Sequence, residues 1–462
     1  PSSSTREPPT LTVAALNLKT VVNHRQNVNE IASASLVYVR GVRVDQPTPT
    51  TTLNSIEHVR HFSVVRRLDG VSMPPGWDQM VQKENAEHPV ARRTKSSVLS
   101  SQTSERGLLS VLLARLGQLD ADVIVGHNIA GFDLDVLLHR LQANKVPHWS
   151  KIGRLKRTRF PNLGGGGQNY GGGAGIGALS CVAGRLLADT YLSARDFVKE
   201  VSYTLTALAQ NQLKMTRHEV PSTDIPGKFG TAANLLSLTK ATEHDAWLSM
   251  GLLFHLSVLP LTRQLSNIAG NLWTKTLQHT RAGRVEYLLL HEFHARKYLL
   301  PDKLSAKERK FGRGGGGDDV DFGEGGDEGG VKAGKKKGGP AYAGGLVLEP
   351  KKGLYDKYVL MLDFNSLYPS IIQEYDICFT TVARPKADPS DPSAPPPPTQ
   401  LPEPPAGGPG GPNAAVLPQV IRKLVQRRRE VKNMIKSERN PAVRQQLDIR
   451  QLALKLTANS MY

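Results

Sequence analysis

The chain has 462 residues, a formal net charge of +18 and a sequence pI near 9.8. The positive charge favours a polyanionic partner, although a basic solvated surface gives the same total. The chain contains two cysteines, Cys181 and Cys378, which excludes a disulfide framework and a zinc module and fits a reducing compartment. The first residues contain no apolar core, so we expect no secretory signal.

The first folded segment mixes strand and helix patterns. Residues 11–20 form an apolar strand pattern that carries Asn17 and Lys19. Residues 122–128 are typical of a strand that leads into a loop, and the helix pattern after them begins near Asp133. This mixture predicts an α/β domain.

A basic segment follows at residues 147–157, Pro-His-Trp-Ser-Lys-Ile-Gly-Arg-Leu-Lys-Arg. Its cations and Trp149 fit the binding of single-stranded nucleic acid by ion pairing and base stacking. A solvated basic loop that Trp149 anchors to the core is an equal alternative.

Three low-complexity tracts divide the chain, at residues 164–177, 301–340 and 384–412. They are rich in Gly, in Gly with charged residues, and in Pro with Gly. Each has too few apolar residues to offset the entropy of ordering it, so we interpret them as disordered insertions or linkers. The folded segments between them are 1–163 with 178–300, then 341–383, then 413–462.

The most apolar stretch, residues 246–261, contains His255 and ends beside Pro260. It is too short and too interrupted to span a bilayer. We therefore expect a soluble protein with no membrane contact, and a mainly helical segment that extends to residue 300.

Residues 358–363 predict a buried strand that ends in the carboxylate of Asp363, and a helix follows. Ser366 can cap this helix, and its first turn tolerates Pro369. The free N–H groups of residues 366–368 would then point toward whatever Asp363 holds. The pattern predicts a binding site for a metal ion and a phosphate together. A carboxylate at this position is, by itself, more often a cap or a turn residue.

Residues 417–436 predict a helix with one apolar face, formed by Ile421, Leu424, Val425, Val431 and Ile435. At about 100° per residue, Arg428 and Lys432 fall within that face. Four other cations fall outside it, namely Arg422, Lys423, Arg427 and Arg429. Burial of two unpaired cations is costly, so we expect an anion beside them, with an internal ion pair to Asp448 as the alternative for one.

On the next helix, Lys455, Asn459 and Tyr462 share one face at positions i, i+4 and i+7.

Two ordered motifs resemble those of the family B DNA polymerases. They are residues 363–370, Asp-Phe-Asn-Ser-Leu-Tyr-Pro-Ser, and residues 455–462, Lys-Leu-Thr-Ala-Asn-Ser-Met-Tyr. The resemblance implies an RNase H-like exonuclease-type domain, then the first part of a palm and a two-helix fingers subdomain, α/β and α+β in class. It also implies DNA-directed DNA synthesis, in which two Mg²⁺ ions stabilise charge while a primer hydroxyl attacks a deoxynucleotide.

The resemblance gives each matching residue a role. Asp363 and the carbonyl of Phe364 would hold metal, and the ring of Tyr368 would exclude a 2′-hydroxyl. The template strand would contact Tyr342, Gly344 and Gly345. The triphosphate would be bound by Ser366, Leu367, Tyr368, Arg428, Lys432, Lys455 and Asn459.

For the exonuclease-type domain the resemblance implies loss of activity. Such nucleases need about four carboxylates to hold two divalent ions roughly 4 Å apart. The family places Asp and Glu on the first strand, where this chain has Asn17 and Lys19. Asp133 and Asp245 remain as remnants, and we expect neither metal binding nor proofreading from them.

Residues 373–382 are especially similar to a eukaryotic replicative member of the family. This implies a nuclear enzyme that extends RNA/DNA primers on a DNA template with primase subunits and an accessory B subunit as partners. The second catalytic carboxylate of the family would follow residue 462, so we expect this polypeptide alone to synthesise DNA poorly or not at all. A noncatalytic nucleic-acid-binding or scaffold protein of the same fold is the alternative, which the sequence beyond residue 462 would distinguish.

Overall fold

The structure is a computed structural model, and it describes residues 8–49, 59–94, 97–161, 163, 176–300, 348–364, 366–382, 402, 408 and 414–461. The three predicted insertions lie outside the described residues, except for residues 176, 177, 402 and 408. Two compact units are present. The first comprises residues 1–284 with 424–459, and the second comprises residues 285–423 with 460–462.

A six-stranded sheet forms the centre of the first unit. The strands are β1 (Leu11–Asn23), β2 (Val28–Val42), β3 (Val59–Arg66), β4 (Leu99–Gln102), β5 (Val123–Gly126) and β6 (Leu186–Asp189). Their order is β4-β3-β2-β1-β5-β6. β1 pairs antiparallel with β2 and parallel with β5, β2 pairs antiparallel with β3, and the two outer pairs are parallel. The predicted first strand is confirmed and lies inside the sheet.

Helices cover the sheet and continue beyond it. They are α1 (Trp77–Glu87), α2 (Pro89–Thr94), α3 (Glu105–Leu119), α4 (Leu134–Ala143), α5 (Ile176–Cys181), α6 (Thr190–Phe197), α7 (Leu205–Leu208), α8 (Ile225–Lys228), α9 (Ala232–His255), α10 (Val258–Ala269), α11 (Trp273–Leu277), α12 (Arg281–Ala295), α13 (Leu367–Glu374), α14 (Val416–Ser437) and α15 (Pro441–Asn459). The mixed α/β class and the helical segment before residue 300 are confirmed.

Both faces of β1 are buried, because side chains alternate across a strand and each face meets a different helical layer. Leu16 and Leu18 lie in a core cluster with leucines of α3 and α4. Val13 and Ala15 lie in a second cluster with Met250 and Leu253 of α9. The same alternation directs Asn17 and Lys19 toward α9.

α15 belongs to the first unit through an apolar contact with α10. Ala453 of α15 packs with Leu261 and Leu265, and all three side chains are buried. The apolar residues of α15 therefore cover α10, which leaves its polar residues on the opposite side.

Among the described residues, no single helix is long and apolar enough to cross a membrane. One pair, α9 with α10, meets the length and composition criteria jointly but is bent by 47° at its break.

The predicted strand at residues 358–363 is wrong. This segment has no regular secondary structure, and its side chains are exposed, with Tyr358 at 107% and Leu360 at 81%. A strand is stable only when its backbone groups bond to a neighbour, and none of the described strands pairs with these residues.

α13, in the second unit, begins one residue after Ser366 and contains Pro369 in its first turn, as expected. The predicted cap is wrong, because Ser366 has a φ of 58° and its side chain makes no capping hydrogen bond. A capping side chain requires an extended backbone at this position, and Ser366 is left-handed.

A buried carboxylate, that of Asp376, lies two residues after the C-terminal end of α13. Asp376 accepts a hydrogen bond from the backbone N–H of Ala415 at 2.8 Å, and its carbonyl accepts one from the Thr381 hydroxyl. Asp376 is 7% exposed, so it holds the chain before α14 in place.

Candidate functional site

The strand β1 places Lys19 against a carboxylate of α9. Lys19 Nζ donates a hydrogen bond to Asp245 Oδ2 at 2.6 Å, and the two side chains are 9% and 1% exposed. The ammonium of Lys19 therefore occupies the side of Asp245 that faces the sheet.

A second cation holds the same carboxylate. Arg217 donates from Nε to Asp245 Oδ1 at 2.7 Å and from Nη2 to Oδ2 at 2.9 Å. Burial alone would raise the pKa of Asp245, but the hydrogen bonds from Arg217 and the charges of Lys19 and Arg217 hold it below its ordinary value. Asp245 is thus an anion whose charge two side-chain cations neutralise.

Burial favours the uncharged form of the second remnant, Asp133. Asp133 ends a short π-helical turn, Ile129–Asp133, between β5 and α4, and it is buried. Burial raises the pKa of Asp133 to about 8, against a backbone hydrogen bond from Leu18 and with repulsion from Asp189 and Asp245. A protonated carboxyl is a poor metal ligand, because ligation requires the carboxylate.

Asp189 is a third buried carboxylate of this cluster, and the sequence analysis missed it. It ends β6 and accepts hydrogen bonds from the backbone N–H groups of Asn128 and Tyr191, both at 2.9 Å. Burial raises its pKa in spite of these bonds. Its signal was present, because residues 186–189 are a short apolar strand that ends in a carboxylate before a helix.

The cluster does not fit a pair of divalent ions. Lys19 brings a positive charge into it, burial favours the protonated form of Asp133, and the buried amide oxygen of Asn17 accepts no hydrogen bond from any described residue. The described residues contain no group of three or more side chains arranged to hold a metal. The side chains of Lys19 and Arg217 take the place that metal ions would need beside the Asp245 carboxylate.

In the second unit, Asp363 and Phe364 lie in an irregular exposed segment just before α13. Leu367 and Tyr368 begin the helix and are 40% and 60% exposed. A carboxylate and a backbone carbonyl are oxygen donors of the kind that Mg²⁺ prefers. They fit one part of a metal site but are too few to hold two ions.

A polar contact links α14 and α15. Arg428, half-buried on α14, donates from Nε to the amide oxygen of Gln451 at 3.2 Å. The predicted inward direction of Arg428 is confirmed, and its observed partner is an uncharged amide. Asp448, the alternative partner, is exposed.

The predicted inward direction of Lys432 is wrong, because Lys432 is exposed. Ile421, Leu424 and Val431 of the apolar face are buried, but Ile435 is only half-buried and Met434 is 51% exposed. The described residues therefore cover this face only as far as Val431, and a long lysine side chain beyond that point reaches solvent.

The predicted residues divide between the two units. Lys455 and Asn459 lie four residues apart on the exposed side of α15, which belongs to the first unit. Arg428 of α14 belongs to the same unit. The second unit contains Asp363, Phe364, Ser366, Leu367 and Tyr368. Tyr342, Gly344, Gly345 and Tyr462 lie outside the described residues.

Two family models match the chain one after the other. Residues 2–208 match "DNA polymerase family B, exonuclease domain", and residues 271–462 match "DNA polymerase family B". The exonuclease-type domain thus precedes the polymerase domain, in the order that the resemblance implied.

Curated relatives match over the whole chain. The DNA polymerase alpha catalytic subunit of Oryza sativa subsp. japonica is 51% identical, over 100% of this chain and 29% of its own length. The same subunit of Arabidopsis thaliana is 49% identical over 98% of this chain, and that of Mus musculus is 38% identical over 98%. This chain spans 29% of the length of each.

A solved structure shares the fold. The family B DNA polymerase from the hyperthermophilic archaeon Pyrobaculum calidifontis matches with a TM-score of 0.60 and 22% identity, over 98% of this chain and 47% of that one.

Proposed function

The chain belongs to the family B DNA polymerases, and from this membership we propose that it is part of a replicative catalytic subunit of the polymerase alpha type. That subunit would add deoxynucleotides to RNA/DNA primers on a DNA template. The observation that carries the proposal is the 51% identity to a polymerase alpha catalytic subunit over the whole of this chain.

In this proposal Asp363 and the carbonyl of Phe364 bind divalent metal, together with a further carboxylate that the complete enzyme supplies. When bound, Mg²⁺ stabilises the negative charge that develops on the transferred phosphoryl group. The N–H groups at the start of α13, from Ser366 to Tyr368, bind the triphosphate, because the N-terminus of a helix attracts anions.

Cations of α14 and α15 are also nucleotide-binding residues in this proposal. Arg428 exchanges the neutral amide of Gln451 for a phosphate oxygen, which gives a stronger, charge-assisted hydrogen bond. Lys432, Lys455 and Asn459 are exposed and so are accessible to a nucleotide. Tyr342, Gly344 and Gly345 contact the template strand.

We further propose that the enzyme has no 3′–5′ exonuclease activity. The contact between Lys19 and Asp245 supports this, since a lysine ammonium 2.6 Å from the carboxylate repels the divalent ions that such a nuclease needs. Primase subunits, an accessory B subunit and a nuclear location belong to the same proposal.

Primer extension by the complete protein tests the proposal. We expect Mg²⁺-dependent addition of deoxynucleotides to an RNA primer annealed to a DNA template. Binding of the primer–template without any extension would contradict the proposal and favour a noncatalytic nucleic-acid-binding protein of the same fold.

A further inference from the structure

The basic segment of the first unit and the residues just after it form a loop, residues 147–160. An aromatic pair fixes this loop to the core. Trp149 and Phe160 have ring centroids 4.2 Å apart at an interplanar angle of 40°. Both rings pack against the main core cluster, and Ile152 between them is 1% exposed. Of the two alternatives for Trp149, the structure supports the anchor, because the half-buried ring packs against Phe160 and the core cluster.

Close backbone contacts fix the middle of the loop. The N–H of Arg154 donates to the carbonyl of Ala183 at 2.9 Å. A Cβ at Gly153 would lie 2.4 Å from the carbonyl oxygen of Cys181, so no larger residue fits there. Arg154 itself is bound to Asp120 and Asp122 at 2.9 and 2.6 Å. The path of the loop is thus set by its own packing and does not require a ligand.

The remaining cations of the loop have no acidic partner in the part of the chain that the structure describes. Lys151, Lys156 and Arg159 are exposed and Arg157 is half-buried. Among the described residues, no carboxylate oxygen lies within 4.0 Å of any of these four side chains. Arg157 donates a hydrogen bond to the Ser180 hydroxyl, which leaves its charge uncompensated. Four positive charges therefore lie within nine residues of a rigid loop.

We propose that this loop is a binding surface for the phosphate backbone of single-stranded DNA. Four cations that have no acidic partner among the described residues attract a polyanion, and the loop loses little backbone entropy on binding because packing already fixes its path. Trp149 is packed against the core, so the cations, and not stacking on Trp149, bind the strand. Its one helical turn among the described residues, a 3₁₀ turn at Trp149–Ile152, is too short to enter a groove of duplex DNA, whereas a single strand bends to follow the loop.

The inference goes beyond the proposed function, because this surface takes no part in nucleotidyl transfer. Its test measures binding by the whole chain in the absence of nucleotide, so it is independent of catalysis. The probe is a fluorescein-labelled oligothymidylate of about 20 nucleotides, longer than typical single-strand sites. Anisotropy titrations at about 50 mM and about 200 mM salt give the affinity and its salt dependence.

The test variant is Lys151→Glu, Lys156→Glu and Arg159→Glu combined. Its matched control is Lys83→Glu, Lys199→Glu and Lys275→Glu combined, which changes three exposed lysines of the same unit by the same total charge. We expect the loop variant to lose about tenfold or more in affinity and about two units of salt slope, since each lost phosphate contact removes about 0.7 unit. The control should lose much less, and both should unfold at the wild-type temperature.

An equal loss of affinity in the two variants would show that total charge governs binding, and it would overturn the proposal. So would unchanged affinity in the loop variant. An abasic oligodeoxyribose phosphate of the same length should keep most of the affinity of the oligothymidylate, and a loss of most of that affinity would show that contacts to the bases, and not to the phosphate backbone, carry the binding. Preference for a duplex of the same length would contradict the assignment to a single strand.

Discussion

Lys19 and Asp245 form a buried ion pair between the sheet and α9, with Lys19 Nζ 2.6 Å from Asp245 Oδ2. Arg217 holds the other side of the carboxylate. The cation of Lys19 therefore helps to fix α9 on the sheet.

Lys19→Met should lower the free energy of unfolding by about 2 kcal/mol at neutral pH. The cost is below that of breaking an isolated buried pair because Arg217 still neutralises Asp245. Urea denaturation measures it, with the exposed Lys199→Met as a control that should change stability by less than about 0.5 kcal/mol.

This loss should depend on pH with a definite sign. The pKa of Asp245 is lowered in the folded protein, so its stabilisation is present above the unfolded pKa of about 4 and disappears as pH falls through the folded pKa. The stability difference between Lys19→Met and wild type should therefore shrink below about pH 4. A difference that stays constant into acid would mean that packing, and not charge, causes it.

Asp133 should give the opposite dependence. Burial raises its pKa to about 8, so between about pH 4 and pH 8 the folded state binds more protons at this residue than the unfolded state, and stability falls as pH rises. Asp133→Asn, which cannot ionise, should gain stability relative to wild type by up to about 1.4 kcal/mol per pH unit in that window. Thermal unfolding at several pH values checks this, and a pH-independent difference would contradict it.

No 3′–5′ exonuclease activity is expected from this protein. Mg²⁺-dependent shortening of a 3′-labelled primer, measured beside an Asp133→Ala variant, is the assay. Activity in the wild type that the variant lacks would show that the remnant carboxylates still hold metal despite Lys19.

Arg428→Ala should weaken nucleotide binding by about 2 kcal/mol, roughly thirtyfold, because it removes a charge-assisted contact to phosphate. Arg427→Ala and Arg429→Ala remove the same charge from exposed positions on α14 and should have smaller effects. The KM for deoxynucleotides in primer extension by the complete protein compares them. Equal effects from all three would indicate that total charge governs the site. The sequence predicted the same for Lys432, but the exposure of Lys432 supports the distinction only for Arg428.

Asp363→Asn in the complete protein should abolish primer extension by removing a charge that the metals require. Its folding should be unchanged, because Asp363 is exposed and in irregular structure. Near-wild-type turnover in this variant would refute the metal assignment, and an unchanged unfolding temperature would exclude misfolding as the cause of inactivity.

The sequence correctly predicted helices, whose hydrogen bonds are local, and the strand β1, which is apolar because both of its faces are buried. β1 was found from its apolar run, and its alternation directs Lys19 correctly. The partner Arg217 was missed because it lies in an irregular segment 28 residues from Asp245, and no local pattern links the two. The strand at residues 358–363 failed for a related reason, since an apolar run specifies a strand only where another strand accepts its hydrogen bonds.

The hydrogen bond between Asp376 and Ala415 joins residues 39 positions apart, and so closes a loop around the Pro-rich tract at residues 384–412. The entropic cost of closing a flexible loop grows only with the logarithm of its length, about 0.6 kcal/mol for each doubling. A change in the number of residues between Asp376 and Ala415 should therefore cost little free energy while this hydrogen bond is kept. The number of residues inserted at this point should therefore have little effect on the free energy of folding.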